Sequence, residues 1–453
     1  MPTRMRKQVR FENERSGVVY FREVAWDGRR VYVDAGSTHQ ETGEQKRFEK
    51  SGQCLATVEE AEQAFNQLLV EQRKTKRWAA EKPSERLVEF DEGVAVVAEN
   101  AALEAEVDAG SAGAARVLAV WLQSQGDPRG ELAALAAAGA DVNGWLAAHG
   151  ARVFGDLDVK LDSEVRELRF CDGFLDSVSL RRAAMESPTL LPSLTRELLA
   201  LPVSRFLTSL RFGLASFESD NDWTETLGEV TSWARAGRIR SLSFDDYTSE
   251  DCELSWTPFG NFSDAWAKLP ALEHLLIRAG GGGELGDIEL PALRSFVRET
   301  GGLAAEEVDC ILRARWPRLE RLDLWLGRAD YGCTVTMGQL QRILDGEVPA
   351  TLTRLGLINS ELMRQLLEPL ARSKILPRLR MLDLKMGILG DAEVDVLLRH
   401  APSFRQLECL DLTENLFGER LAELAAALPN ALLGAQRYEP DMDDDDRYTA
   451  VGE

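Results

Sequence analysis

The residues able to do chemistry in this chain are few and scattered. Asp127, Arg129 and Glu131 lie close in sequence and could form an acid–base pair with a counter-charge. Catalysis there would need a nucleophile or metal ligand nearby, and His149 alone does not supply one. The four histidines, His39, His149, His274 and His400, fall in four separate segments. Cys54, Cys171, Cys252, Cys310, Cys333 and Cys409 include no close pair, so they read as reduced, buried thiols rather than a zinc site or a disulfide framework. Gly280 to Gly283 is followed by Glu284 rather than Lys-Ser/Thr, which makes it an outer turn and not a phosphate loop. The acidic stretch Asp441 to Asp446 lacks the glycine and the twelfth-position glutamate of a calcium loop and reads as solvated tail. Neither a catalytic centre nor a bound cofactor or metal is expected.

What recurs instead is a set of polar residues between regularly spaced aliphatics. Leu379, Leu382 and Leu384 form Leu-x-x-Leu-x-Leu; Leu407, Leu410 and Leu412 repeat it and run on through Asn415 to Phe417. Alternation of this kind predicts short strands with one buried face. Further strand starts fall at Leu207, Ile239, Leu272, Leu293, Leu319 and Leu352, so successive gaps are 32, 33, 21, 26, 33, 27 and 28 residues. Pro270, Pro291, Pro317 and Pro377 each stand two residues before a strand's first apolar residue, where proline stops a helix and sets an extended entry. Helical patterns fill the intervals, as at Val394, Leu397 and Leu398 or Leu421, Leu424 and Leu428. The 21-residue gap and the glycine run mark an irregular middle.

The eleven-residue pattern from Leu407 to Phe417 resembles the leucine-rich repeat, with Phe in the last Leu position. A period near 29 resembles the ribonuclease-inhibitor type, which implies an α/β solenoid with parallel strands on a concave face and helices on the convex face. The resemblance places function on the concave side, where the residues between the inward aliphatics are Arg211, Asp245, Arg278, Arg321, Asp323, Trp325, Arg354, Asp383, Lys385 and Asp411, with Ser243 and Thr413. Mixed charge around one Trp suits a protein partner, since Trp and Arg are enriched at binding hot spots. Trp325 packed on a neighbouring repeat is an equally good reading.

The chain has 453 residues, 44% hydrophobic and 28% charged, enough for two or three folded domains. No window approaches the ~18 apolar residues of a membrane span, and the basic N-terminus lacks a signal-peptide core, so a cytoplasmic location is expected. The net charge of −22 is uneven: residues 1–80 carry 15 Lys+Arg against 12 Asp+Glu, a net of +3, leaving −25 for the rest. Only the first segment could plausibly meet a phosphate backbone. Strand patterns at Gly17 to Val24 and Arg30 to Val33 flank the turn pair Asp27-Gly28, Lys46 to Phe48 adds another, and Thr57 to Arg77 reads as a helix with a Thr57–Glu60 capping box and Ala61, Ala64, Phe65, Leu68 and Leu69 on its apolar face. The basic cluster at its end also complements the helix dipole.

That order, with Gly36 and Gly43, resembles the WGR domain over residues 9 to 78. The name-giving residues read Ala35-Gly36-Ser37 here, keeping only the glycine. Residues 116–132, with Trp121-Leu122 and Gly126-Asp127-Pro128-Arg129-Gly130-Glu131, then Trp145-Leu146 and His149-Gly150, resemble the bacterial repeat-companion domain, which implies an accompaniment to repeats and no activity. In physical terms Gly126 ends one helix in the left-handed conformation, Asp127 caps the next and Pro128 occupies its first position. The expected divisions are a small α+β domain at 1–80, a linker at 81–93, a helical capping domain at 94–160, a solenoid at 161–437 opening on Val165, Leu168 and Phe170, and an acidic tail at 438–453. The expected function is a non-catalytic interaction scaffold; the alternative is a nucleic-acid-associated regulator acting through residues 1–80.

Overall fold

A computed structural model describes residues 4–16, 18–27, 30–39, 45–54, 58–74, 84–90, 97–161, 163–185, 187, 189–217, 220–438 and 447–452. The protein is mixed α/β with a large, mostly parallel sheet. The chain divides into two compact units, Met1–Ala183 with Glu197–Leu207, and Ala184–Arg196 with Thr208–Glu453.

In the first unit, β1 (Arg4–Arg15), β2 (Val18–Asp27), β3 (Arg30–His39) and β4 (Gln45–Cys54) form an antiparallel meander, followed by helix α1 (Val58–Lys74) and strand β5 (Ser84–Phe90). The sheet order is β4-β3-β2-β1-β5. Alternating Val9 and Phe11, with Val24, Val31 and Val33, meet Ala61, Phe65 and Leu69 of α1 in one apolar core. The β2–β3 register runs from Val18 opposite His39 to Asp27 opposite Arg30, one residue beyond the pairing that an Asp27-Gly28 turn would set. Two differences from the sequence reading stand out. Strand β1 is present where only a basic terminus is legible, and the stretch read as a linker supplies β5, paired with β1 from Arg4↔Phe90 to Arg10↔Ser84. Thr57 of the expected capping box lies outside the described residues.

Helices α2 (Ala101–Asp108), α3 (Ala114–Ser124), α4 (Pro128–Ala137), α5 (Val142–His149) and α6 (Ala151–Phe154) follow, then the hairpin β6 (Val165–Cys171) and β7 (Phe174–Leu180). Gly126 has φ 75°, and the Asp127 side chain accepts the Arg129 N–H at 2.9 Å, so the α3–α4 corner forms as its residues dictate. Gly130 has a packing reason: a Cβ there would lie 2.1 Å from the backbone nitrogen of Gln123 on α3. Leu118 and Leu122 of α3 pack with Phe174 and Phe206. The expected first repeat strand, 165–170, exists as β6, but it pairs antiparallel with β7.

The chain passes between the units within α7 (Leu191–Leu199). The second unit contains β8 (Ser209–Phe212), α8 (Thr224–Ser232), β9 (Ser241–Phe244), β10 (Gly260–Asn261), β11 (His274–Arg278), β12 (Gly283–Glu284), β13 (Ser295–Glu299), α9 (Ala305–Arg313), β14 (Arg321–Gly327), α10 (Met337–Leu344), β15 (Arg354–Ser360), α11 (Met363–Ala371), β16 (Met381–Asp383), α12 (Val394–Arg399), α13 (Ala401–Phe404), β17 (Cys409–Asp411), α14 (Leu421–Ala427) and β18 (Ala431–Leu432). Each aliphatic start expected from sequence stands two residues before a strand, from Leu207 before β8 to Leu407 before β17. From β8 to β18, leaving aside the short β10–β12 pair, each strand lies parallel to its neighbour.

α-Helices fill the intervals on either side, but the middle departs from the pattern, including the 33-residue interval from Ile239 to Leu272. Between β9 and β13 the described residues hold 3-10 turns and the parallel β10–β12 pair instead of α-helix. Phe259, Phe262 and Trp266 fill that region, and the glycine run is shaped to them: a Cβ on Gly283 would fall 2.3 Å from the Phe259 ring, and one on Gly280 would fall 2.6 Å from the Ser255 carbonyl. The run is packed at Gly280 and Gly283 and open at Gly281.

Candidate functional site

Period-2 alternation sorts the strands of the second unit into two faces. Leu210, Leu242, Leu275, Phe296, Leu322, Leu355, Leu382 and Leu410 are successive register partners, all buried. Each contributes roughly 1.5 to 3 kcal/mol on burial. The adjacent row runs Arg211, Ser243, Leu276, Val297, Asp323, Gly356, Asp383 and Asp411, and all ten sequence-expected binding residues lie on or beside this second face.

The structure joins these residues into ion pairs, some along one strand and some from one strand to the next. Arg211 pairs with Asp245 at 2.9 Å and with Asp246 at 3.5 Å. Further along, Arg321 Nε donates to Asp323 at 2.7 Å, Arg354 reaches Asp323 at 3.1 Å and Asp383 at 3.6 Å, and Lys385 lies 3.8 Å from Asp383. Asp411 accepts from the Thr413 hydroxyl at 2.7 Å. The carboxylates are the buried members, Asp323 1% and Asp383 4% exposed, with the cations outside them. Burial pushes the Asp383 carboxyl up to about 6, helped by the neighbouring Asp411 and Asp323 charges and opposed by Lys385. The face therefore offers hydrogen-bonding cations on a charge-balanced ladder.

Trp325, only 8% exposed, lies in register with Ile358 and beneath Arg278, whose guanidinium is 5.8 Å from its ring and 5.7 Å from that of Tyr247. Arg278 also pairs with Glu299 at 2.9 Å. Trp325 is thus a platform that holds Arg278, not a protruding anchor. Glu299, Tyr247 and Asp246 escaped the sequence reading because their pairing depends on register between repeats.

The aliphatic side carries one exception. Arg298, in register with Leu324, is fully buried. It pairs with Glu307 of α9 at 2.7 Å and donates to the carbonyls of Ala279, Gly280 and Glu299 at 2.6, 2.7 and 2.9 Å. This guanidinium ties α9 to the backbone at the ends of β11 and β13.

The residues first considered for catalysis have structural partners. Asp127 and Arg129 form a buried pair at 2.6 Å that also binds the backbone of Ala98 and Pro202, and Glu131 pairs with Arg152 at 2.9 Å. Cys171 is exposed and Cys310, Cys333 and Cys409 are half-buried rather than buried as expected, yet partial desolvation pushes all four thiols up, away from the thiolate form a nucleophile needs. His274 is exposed on β11, and His400 lies 3.1 Å from Glu368. Among the described residues no group of three His, Cys, Asp or Glu is placed to hold a metal ion, and no helix is long and apolar enough to cross a membrane.

No family model matches the sequence, and no curated protein matches it. The chain is similar in fold to a Bacteroides fragilis protein whose crystal structure was determined by the Northeast Structural Genomics Consortium, at 19% identity and a TM-score of 0.51, over 99% of this chain and 100% of that one.

Proposed function

We propose that the second unit is a leucine-rich-repeat solenoid of the ribonuclease-inhibitor type and that the chain is a non-catalytic scaffold binding a partner protein on its polar strand face. The repeat reading is supported by Asn415, whose side chain donates to the carbonyls of Leu384 and Leu412 at 2.9 and 3.1 Å and accepts the Leu389 N–H at 3.2 Å. One residue thereby ties the turn of its own repeat to the turn before it. The observation that carries the functional reading is the ladder Arg321–Asp323–Arg354–Asp383–Lys385. A stable sheet needs no such row of partly exposed cations, whereas a protein interface of ~1,600 Å² draws its specificity from fixed charges of this kind.

Affinity purification with the intact chain, beside folded Arg278→Ala, Trp325→Ala and Arg354→Ala variants, tests the reading. A specific protein should be recovered by the parent and reduced by each substitution. An unchanged set of recovered proteins across all three, or no specific protein with the parent, overturns it.

A further inference from the structure

After β18 the chain returns along the sheet it has just completed. Residues 447–452 pass the strand ends in reverse order. Arg447 lies 3.8 Å from Glu393. The Tyr448 carbonyl accepts from Arg437 Nη1 at 2.9 Å, and its ring lies 4.2 Å below the Arg328 guanidinium. The Ala450 N–H donates to the Met386 carbonyl at 3.0 Å, and Thr449 is 6% exposed. The side chain of Asn359 then brackets Val451: Nδ2 donates to the Val451 carbonyl at 2.5 Å and Oδ1 accepts the Val451 N–H at 2.9 Å. Gly452 ends between Gly301 and Tyr331, so close that a Cβ on Gly301 would lie 2.2 Å from its carbonyl oxygen. Residues 447–452, within the acidic tail expected at 438–453, are thus packed on the second unit; the stretch Asp441 to Asp446, read as solvated, lies outside the described residues.

The chemistry of this seat is that of main-chain recognition. An amide side chain that engages both the N–H and the C=O of one residue makes the two bonds a strand residue exchanges with its antiparallel neighbour. Asn359 is fully buried and holds φ 52°, a left-handed conformation that Asn adopts more readily than other side chains, where its amide meets Val451. Gly301 leaves the wall thin where Gly452 approaches, while Gly302 and Gly327 are held free of side chains by the Tyr331 and Gly301 backbones behind it. The occupant presents small residues, Ala450, Val451 and Gly452, and joins β18 through an acidic stretch, Glu439 to Asp446.

We infer that Met386, Asn359, Gly301 and Tyr331, at or near the ends of successive strands, form a peptide-binding seat, filled in cis by the chain's own residues 447–452, which takes an extended aromatic-Thr-small-aliphatic-Gly segment of a partner protein once those residues are displaced. None of these residues belongs to the charged ladder, so peptide exchange and partner loss on Arg354→Ala are independent readouts.

The experiment places a specific protease site within residues 439–446 of the full chain and cleaves after folding, so the tail is present while the protein folds. The probe is a fluorescein-labelled synthetic peptide of residues 447–453. The cut chain should release its tail and bind the probe reversibly. The uncut chain should bind it at least about tenfold more weakly, because the tether holds the tail near a millimolar effective concentration. Asn359→Ala in the cut chain should weaken the probe by a similar factor. The inference is overturned if the cut segment stays with the chain through gel filtration and does not exchange with excess probe, if the emptied chain ignores the probe at ~1 mM, or if Asn359→Ala binds it as the parent does.

Discussion

Replacing Asp383 with Asn tests the electrostatic account of the ladder. Asp383 is in register with Asp411 on the next strand, and its carboxyl is pushed from the ordinary 3.8 up to about 6 by burial first and by Asp411 and Asp323 next. The folded protein therefore keeps a proton that the unfolded chain has released between about pH 4 and pH 6. Acidification through that window stabilises the fold, and raising the pH through about 6 removes the stabilisation. A shift of about two units corresponds to ~3 kcal/mol in full. At pH 5 the folded carboxyl is already mostly protonated, which recovers on the order of 1 kcal/mol relative to pH 8. Asn cannot titrate, so the stability difference between Asp383→Asn and the parent should shift by on the order of 1 kcal/mol in the mutant's favour from pH 5 to pH 8. Urea melts followed by tryptophan fluorescence at the two pH values measure it. The same difference at both, or a carboxyl resonance titrating near 4 in the folded protein, would refute the reasoning. Below pH 6 the neutral Asp383 also leaves Arg354 and Lys385 less compensated, so partner binding should respond over the same range.

Two further substitutions probe the frame that holds the ladder. Arg298→Met leaves the Glu307 carboxylate buried without its cation and should cost ~3 to 5 kcal/mol, while adding Glu307→Leu should restore a large part of it; a single-mutant cost under ~1 kcal/mol in urea melts would show that the pair does not hold the middle together. Asn415→Leu strands the Leu389 N–H and the Leu384 carbonyl and should cost ~2 to 3 kcal/mol, with hydrogen exchange of the Leu389 amide accelerated; unchanged exchange there would contradict the turn-to-turn role assigned to this side chain.

The parallel strands were legible because a half-buried strand repeats its aliphatics at period 2, and a stack repeats that pattern at a near-constant interval. The entries from Leu207 to Leu407 obey both. Strand β1 was not legible, since Val9 and Phe11 are interleaved with Arg, Gln and Glu, and its basic residues read first as composition. Strand β5 lay behind Pro83 and Ser84, which mark a linker when no pairing partner is in view. The helix-poor middle was signalled by its short gap and glycines but not explained by them. The explanation is Arg298, a charge at an aliphatic position, which makes sense only with Glu307 and three carbonyls around it.

The site was legible as a set of residues and not as a network, for a reason that lies in the stack itself. Strands ~4.8 Å apart bring each ladder residue beside one about thirty positions away, so charge pairing is decided by register. Asp323 and Asp383 are separated by Gly356, and a Cβ at Gly356 would meet Asp323 Oδ1 at 2.8 Å. That missing side chain gives the Asp323 carboxylate room beside Arg354, so one guanidinium serves two strands. Asp383 and Asp411 have no such spacer, and like charges on adjacent strands repel. The same row thus holds one carboxylate answered by two arginines and another left with a raised proton affinity. An arrangement that served stability alone would not retain the second, which is why the ladder, rather than Trp325, is where recognition is assigned.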